Sequence, residues 1–267
     1  MIPERTLQAV VDSLGERGEK TALVFFGKKD RHGWSFKKLA DCARSFANGL
    51  AKDGFKRGDT VALFAENRPE WIAAALGIIR AGAVAVPLDV QLGDKTLVHT
   101  LQDSDARAII TTQKRAGRIG KLDLKEKPKL ILLDAGEDDE QSWKRFLESE
   151  EAELPTMSRD DEAVLFYTSG TTGPPKGVPL RHGNIVSQLD IAAEVQAHDG
   201  RRSRAAPAAP ASRLPVCDRH AGPARSRSAI DSAIFAERPA VVARPARRRS
   251  DGDRWCAAAL QRALFRH

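Results

Sequence analysis

Cysteine is scarce in this chain, and its scarcity argues against two kinds of stabilising site. Only three cysteines occur among 267 residues, Cys42, Cys217 and Cys256, and no two of them have the close spacing of a metal-binding pair. An odd, widely spaced set argues against a disulfide framework and favours a reducing compartment. We therefore expect a cytoplasmic protein that relies on a packed core, which 42% hydrophobic residues allow.

Long apolar runs are also missing. A membrane span needs about 20 mostly apolar residues. The most apolar stretch, residues 71–88, is interrupted by Arg80, two glycines and a proline. The first ten residues lack the cationic and then apolar pattern of a secretory signal. The sequence predicts no transmembrane segment, while peripheral contact with a membrane stays open.

Lysine is absent from the last 67 residues, and this divides the chain in two. Residues 1–200 contain 15 Lys and 13 Arg against 31 acidic residues, whereas residues 201–267 contain 15 Arg against five acidic residues. The net charge of +7 therefore combines a mildly acidic first part with a strongly basic second part. We predict a domain over residues 1–200 and a disordered Ala/Arg/Pro-rich tail over residues 201–267.

Apolar patterns in the first 200 residues alternate between helical and strand periods. Ser35 is a suitable N-cap for an amphipathic helix over 36–50, and Gly54 is a suitable stop. Further helices are predicted over 69–80, 94–102 and 183–195, a partly helical segment over 136–151, and strands over 60–64, 83–87, 108–111, 130–133 and 163–166. This alternation predicts an α/β fold with helices layered on a mostly parallel sheet.

The strongest local signal is a loop rich in glycine and hydroxyl groups. Residues 166–178, here called the signature loop, read FYTSGTTGPPKGV. Glycines let backbone N–H groups turn toward an anion, hydroxyls add neutral donors, and lysine adds a mobile positive charge. The pattern predicts a polyphosphate site, and an ordinary flexible surface loop is the alternative. The candidate ligands are Thr168, Ser169, Gly170, Thr171, Thr172, Gly173 and Lys176.

The signature loop differs from two common phosphate-binding motifs. A Walker A loop requires Gly-Lys-Ser/Thr, but Lys176 follows Pro175 and precedes Gly177. The Gly-x-Gly-x-x-Gly fingerprint of dinucleotide-binding domains is not present in the loop either.

Residues 167–178 resemble the phosphate-binding motif of the adenylate-forming enzymes. That superfamily contains acyl-CoA synthetases, aryl-CoA ligases, luciferases and peptide-synthetase adenylation domains. Other segments that resemble the family are WSF at 34–36, RGDTV at 57–61, ENRPEW at 66–71 and AGAVAVPLD at 81–89. The resemblance covers about residues 5–200 and is strongest to acyl-CoA synthetases, including long-chain fatty acid–CoA ligases.

The resemblance implies a two-step reaction. A carboxylate attacks the α-phosphate of ATP to give an acyl-adenylate and pyrophosphate, and the thiol of coenzyme A then takes the acyl group. It also implies that the signature loop holds the β- and γ-phosphates with Mg²⁺, with Thr168 or Thr172 near the metal. The implied fold is the N-terminal subdomain of the adenylate-forming fold. The implied partner is a small carboxylic acid, most readily a fatty acid, with no nucleic acid.

Other chemically notable residues are assigned structural roles. Asn67, Arg68 and Trp71 are interpreted as a helix start and its packing, and His182 as a polar residue at a helix start. Cys42 is interpreted as a core residue and not as a nucleophile. The acidic run at residues 137–140 is interpreted as a solvated surface.

Later motifs of the family are not recognisable after residue 200. They would supply the adenine pocket, a Mg²⁺-binding glutamate, a ribose-binding aspartate and an adenylation lysine. We therefore expect an N-terminal part of such a ligase that is inactive by itself.

The tail also permits a genetic explanation. Read one nucleotide later, with third bases chosen freely, the codons of residues 204–221 are compatible with VLPLPLxHHVYPFVIGML. That string resembles the family's next motif and favours fatty acyl-CoA synthetases. We hypothesise a one-nucleotide frame change near residue 200. Two alternatives stay open: a non-catalytic protein whose basic tail binds nucleic acid or anionic lipid, and an unstable fragment without function.

Overall fold

The computed structural model describes residues 5–26, 31–168, 173–204 and 240–242, with side chains described as far as Ala193. Apart from a 3₁₀ turn at Leu14–Arg17, the elements in chain order are α1 (Leu7–Ser13), β1 (Thr21–Phe26), β2 (Arg31–Ser35), α2 (Phe36–Lys52), β3 (Thr60–Leu63), α3 (Pro69–Arg80), β4 (Val84–Pro87), α4 (Asp94–Asp103), β5 (Ala106–Thr111), α5 (Gln113–Ile119), β6 (Lys129–Leu132), α6 (Lys144–Leu147), β7 (Glu162–Thr168), β8 (Lys176–Arg181), α7 (His182–Arg204) and β9 (Ala240–Val242).

Six strands form the main sheet in the order β6–β5–β3–β4–β7–β8. The pairs from β6 through β7 are all parallel, and β8 returns antiparallel to β7. The carboxyl ends of β3 to β7 therefore lie at one edge of the sheet, here called the carboxyl edge. This architecture confirms the predicted α/β fold with a mostly parallel sheet.

Both faces of the main sheet are covered by helices. Along β3, Val61 and Leu63 join the apolar cluster on one face and Ala62 joins the cluster on the other, as the two-residue period of a strand requires. Helices α1, α2, α3, α6 and α7 contribute to the first cluster, and α4 and α5 contribute to the second. Burial on both faces explains why these strands have nearly continuous apolar sequences.

The predicted signals at helix ends are confirmed. The Oγ atom of Ser35 accepts a hydrogen bond from the backbone N–H of Lys38 at 3.1 Å, which caps α2. Gly54, just beyond the end of α2, has a φ of +83°. Pro69 occupies the first turn of α3, where its missing N–H has no intrahelical partner to lose.

A second, smaller sheet contains the N-terminal hairpin. Strands β1 and β2 are antiparallel, and the residues between them, 27–30, lie outside the described part. Strand β9 pairs in parallel with β1, with Leu23 opposite Ala240. Two segments of the predicted tail thus have regular structure, because α7 also continues to Arg204. The rest of that tail lies outside the described residues.

Several elements were not predicted from the sequence, namely α1, β1, β2, α5, β8 and β9. Strand β8 is largely exposed and contains Pro179, so it lacks the alternation that identifies a strand. Proline is tolerated there because β8 is the last strand in the order of the sheet. Among the helices that the structure describes, none is long and apolar enough to span a bilayer.

Candidate phosphate-binding site

The signature loop connects the two antiparallel strands at one side of the main sheet. Its first arm belongs to β7, which ends at Thr168, and its second arm enters β8 at Lys176. Thr168 and Lys176 are paired across the hairpin, and the Oγ1 hydroxyl of Thr168 donates to the carbonyl of Lys176 at 3.4 Å. The hairpin therefore brings a hydroxyl and a cationic side chain together at the base of the loop.

Three of the seven predicted ligands are described by the structure. Thr168, Gly173 and Lys176 are all exposed. No ion pair within the described residues engages the ammonium group of Lys176. The other predicted ligands lie outside the described residues; they are Ser169, Gly170, Thr171 and Thr172.

The signature loop leaves β7 at the carboxyl edge of the sheet. In open α/β sheets, ligands bind in the crevice outside the carboxyl ends of the strands. Neighbouring loops at this edge are tied together: Arg115 pairs with Glu66 at 2.6 Å and donates to the carbonyl of Val90 at 3.1 Å. These three residues follow β5, β3 and β4, so one guanidinium group holds together the ends of three strands.

Arg115 also fixes the charge of Glu66. Partial burial acts to raise the pKa of the Glu66 carboxyl group, but the hydrogen bond and positive charge of Arg115, together with a backbone hydrogen bond, outweigh it. The net effect is a pKa below the usual value, so this carboxylate stays ionised near neutral pH.

Helix α4 contacts both arms of the signature loop. The hydroxyl of Tyr167 donates to Oδ2 of Asp103 at 2.7 Å, and Nε2 of His99 lies 3.0 Å from the carbonyl oxygen of Pro175. Burial and the nearby Asp103 carboxylate raise the pKa of Tyr167, which keeps its phenol protonated as a donor. One helix therefore holds the strand ends on both sides of the loop.

His99 and Asp103 were missed by the sequence analysis. The apolar residues of α4 predict the helix but give no role to its polar residues. The four-residue spacing of His99 and Asp103 places them on one side of a helix, which is the only local signal they give. Nothing in the local sequence indicates that this side lies against the signature loop.

The structural roles assigned to Trp71 and Arg68 are confirmed. Trp71 is fully buried, while Arg68 occupies the N-cap position of α3 and pairs with Glu70 at 2.8 Å. Asn67 is half-buried beside them, and its Oδ1 atom has no hydrogen-bond donor within the described residues.

His182 is fully buried, whereas Cys42 is half-buried. His182 begins α7 as predicted. Its side chain is fully buried, however, whereas an ordinary polar residue at a helix start is expected to be exposed. Cys42 is half-buried against the larger apolar cluster, as predicted. Burial raises the pKa of the Cys42 thiol, which disfavours the nucleophilic thiolate.

The acidic run at residues 137–140 lies at the surface. Glu137 pairs with Lys144 at 3.1 Å, and both side chains are largely exposed. Within the described part of the chain, no group of three or more His, Cys, Asp or Glu side chains is arranged to hold a metal ion.

The family model and the most similar relatives identify the same enzyme family. The family described as AMP-binding enzyme matches residues 11–212. A feruloyl-CoA synthase from an Amycolatopsis species is 37% identical over 158 residues, which are 58% of this chain and 30% of that protein. A medium/long-chain-fatty-acid–CoA/3-oxocholest-4-en-26-oate–CoA ligase from Mycolicibacterium smegmatis is 31% identical over 200 residues, 70% of this chain and 34% of that protein.

The chain spans about a third of the length of the curated relatives it matches. An acyl-CoA synthetase from Brucella canis has the same fold, with a TM-score of 0.62 at 22% identity over 72% of this chain and 35% of that chain. The family match covers the main sheet and its helices, including β7, β8 and the signature loop between them. The chain therefore belongs to the AMP-binding enzyme family, whose matched members include acyl-CoA ligases.

Proposed function

We propose that the signature loop binds the β- and γ-phosphates of ATP and that the chain is the N-terminal part of an ATP-dependent acid–CoA ligase. The observation that carries the proposal is the pairing of Thr168 with Lys176, both exposed at the carboxyl edge. A hydroxyl and an ammonium group at that position are complementary to phosphate oxygens. Family membership supports ATP as the source of those phosphates.

The proposed reaction separates pyrophosphate from ATP. A carboxylate oxygen attacks the α-phosphorus, and the bond from that phosphorus to the oxygen bridging the α- and β-phosphates breaks. The acyl-adenylate then reacts with the thiol of coenzyme A, and AMP leaves. In this scheme Lys176 and Thr168 hold the pyrophosphate leaving group, and the lysine charge offsets the negative charge that develops on it. The backbone at Gly173 and the undescribed Ser169, Gly170, Thr171 and Thr172 complete the proposed cradle.

The exposed hydroxyl of Thr168 fits a Mg²⁺ ion that is bound together with ATP. Magnesium prefers oxygen ligands and is commonly held by few protein groups together with phosphate oxygens and waters. A single hydroxyl at the end of β7 is compatible with that donor set, and Thr172 is the second candidate, outside the described residues. When bound, the ion neutralises phosphate charge.

For the acid, we propose a fatty acid. One support is the mycolicibacterial relative, whose name includes medium- and long-chain fatty acids. The other is the string in the shifted frame of the tail, which resembles a motif of fatty acyl-CoA synthetases. The feruloyl-CoA synthase is more similar to this chain and supports an aromatic acid as the competing candidate. A panel of acids of both kinds distinguishes them.

We infer that the protein works in the cytoplasm, with membrane contact limited to the surface. The support is the sparse set of three cysteines, which fits a reducing compartment. A fatty acid substrate partitions into membranes, which favours a protein that touches their surface.

The phosphate site is tested by titrating the full chain with Mg-ATP and with pyrophosphate in a calorimeter. Because hydrogen bonds to charged groups contribute strongly to binding, we expect Lys176→Ala to weaken the affinity for both ligands about tenfold or more. Lys121→Ala is the matched control, since Lys121 is an exposed lysine beyond the end of α5. Equal affinities in wild type and Lys176→Ala, or no binding by wild type, would contradict the proposal.

The proposed inactivity of the chain by itself has a separate test. We expect no acid-dependent exchange of radiolabelled pyrophosphate into ATP above background. Robust exchange with any acid of the panel would refute it.

A further inference from the structure

We propose that His99 and Asp103 are positioning residues that hold the two arms of the signature loop in register and so set its affinity for the polyphosphate of ATP. These residues, with Tyr167 and Pro175, are here called the α4 brace. The inference rests on the proposed function for its ligand. Its structural part stands independently on contacts among described residues.

The first contact of the α4 brace fixes the β7 arm. Tyr167 directly precedes Thr168, and its hydroxyl donates to Asp103 at 2.7 Å. The ring of Tyr167 also lies close to Gly177 on β8: a Cβ atom at position 177 would be 3.5 Å from Cζ of Tyr167 and 3.1 Å from Cδ1 of Leu165. The ring of Tyr167 thus lies within van der Waals reach of the opposite strand, with its hydroxyl held by α4.

The second contact fixes the β8 arm. Pro175 directly precedes Lys176, and its carbonyl oxygen lies 3.0 Å from Nε2 of His99. A carbonyl only accepts, so His99 must carry its proton on Nε2 to make this bond. Pro174 and Pro175 have no N–H groups of their own, which leaves this stretch of the loop with carbonyls alone.

The two contacts act on the residues that flank the predicted ligands. His99 and Asp103 are one helical turn apart on α4, and they contact the residues immediately before Lys176 and Thr168 respectively. The separation of the ligand-bearing residues is therefore set before any phosphate binds. Pre-organised groups pay less ordering entropy on binding, so the α4 brace should raise affinity without touching the ligand.

The α4 brace is separable from the folding of α4. Leu97 and Leu101 are buried and anchor this helix to the sheet, whereas Asp103 is exposed and His99 is half-buried. Substitutions at His99 and Asp103 should therefore loosen the hairpin and leave the core intact.

The test uses five single variants of the full chain, including one control. Tyr167→Phe and Asp103→Ala break the first contact, and His99→Phe breaks the second. His99→Gln keeps an N–H donor at a similar reach and serves as the rescue variant. Gln102→Ala is the matched control, because Gln102 is the exposed neighbour of Asp103 on α4 and contacts no part of the loop through a described hydrogen bond.

Amide hydrogen exchange, read by mass spectrometry, reports on the hairpin without any ligand. Loss of either hydrogen bond should speed exchange in peptides covering β7 and β8 about fivefold in the three disrupting variants. Exchange in peptides from α2 and α3 should not change, and His99→Gln and Gln102→Ala should match wild type. Unchanged exchange in the hairpin, or equal acceleration throughout the core, would overturn the positioning role.

Pyrophosphate affinity then tests the functional part. We expect binding to weaken about fivefold in the disrupting variants and to recover in His99→Gln. Wild-type affinity in Tyr167→Phe and His99→Phe would overturn the inference even if the hairpin is looser. A wild-type chain that binds no pyrophosphate contradicts the proposed function and the ligand named here, while the exchange data still decide whether the α4 brace exists.

Discussion

His182 places a titratable ring in the core, and its environment disfavours the charged form. The side chain is fully buried, and neither ring nitrogen has a hydrogen-bond partner within the described residues. Burial lowers the pKa of His182, although the nearby Asp161 carboxylate opposes the shift. The folded protein therefore binds this proton more weakly than the unfolded chain does.

This difference predicts a loss of stability in mild acid. The unfolded chain takes up the proton below about pH 6.5, while folded His182 resists it, so the free energy of unfolding should fall as pH drops from 7.5 to 5.5. Urea unfolding of wild type at several pH values measures the slope. In His182→Gln, which does not titrate, the slope should be shallower.

The carboxylates of Glu66 and Asp161 affect stability only at lower pH than His182 does. They therefore do not account for a slope measured between pH 7.5 and 5.5. Burial acts to raise both pKa values, but hydrogen bonds outweigh it: for Asp161 the backbone N–H of Ser158 and then the Arg57 guanidinium, and for Glu66 chiefly the Arg115 guanidinium. Both pKa values therefore lie below the usual carboxyl range. Their contribution to stability is present above that range and is lost only at more acidic pH. An identical slope in wild type and His182→Gln between pH 7.5 and 5.5 would contradict the role assigned to His182.

At the scale of elements, close backbone approaches determine how α2 packs. A Cβ atom at Gly49 would lie 2.6 Å from the carbonyl oxygen of Phe146 on α6 and 2.7 Å from its Cα. Backbone atoms cannot move aside as a flexible side chain can. The ring of Phe146 also packs against Phe46 on α2, with centroids 5.4 Å apart. Glycine at position 49 therefore permits the contact of α2 with α6.

We predict that Gly49→Ala lowers the free energy of unfolding by about 1–3 kcal/mol through overpacking. Gly117→Ala is the matched control, because Gly117 lies within α5 and a Cβ atom there meets nothing within 4 Å. That control should be neutral or more stable by up to about 1 kcal/mol, since alanine is the better helix former. Equal effects of the two substitutions in urea unfolding would rule out the proposed clash.

Elements with local signals could be predicted from the sequence, and elements without them could not. Helices α2 and α3 have a capping serine and an N-terminal proline, and β3 to β6 are short apolar runs because both faces are buried. Within the described part of the chain, β8 pairs with β7 alone, and its exposed residues carry no periodic pattern. Strand β8 forms because the hairpin pairs it with β7, and its own composition does not predict a strand.

In the candidate site, too, some residues could be predicted from the sequence and others could not. The signature loop could be identified because its glycines, hydroxyls and lysine are contiguous in sequence. His99 and Asp103 lie more than 60 positions before it, and they reach it only because the fold brings α4 within hydrogen-bond distance of Tyr167 and Pro175. The burial of His182 likewise follows from packing around the start of α7, which no local pattern reveals.

At the scale of the whole molecule, strand β8 forms an exposed edge of the main sheet. Among the described residues no further strand pairs with β8, and Val178 on it is 41% exposed. An exposed edge strand with apolar side chains is an aggregation hazard. In the curated relatives about two thirds of the chain lies outside the matched region.

The frame-change hypothesis makes a prediction at this scale. If a one-nucleotide change near codon 200 replaced the family sequence, the coding DNA should carry a family-like continuation in the neighbouring frame. Sequencing the gene and translating both frames beyond that codon measures this directly. A neighbouring frame with early stop codons or no resemblance to the family would eliminate the hypothesis.

A chain with the frame restored should differ from the present one in activity and in surface exposure. We expect acid-dependent exchange of pyrophosphate into ATP only in the restored chain, because an acid pocket and an adenine pocket must accompany the phosphate site. Dye binding to exposed apolar surface should be lower in it, because added chain would cover β8 and its neighbours. Lys176→Ala in the restored chain is the control, and it should abolish exchange while leaving dye binding low. Exchange that survives this substitution would separate the activity from the signature loop.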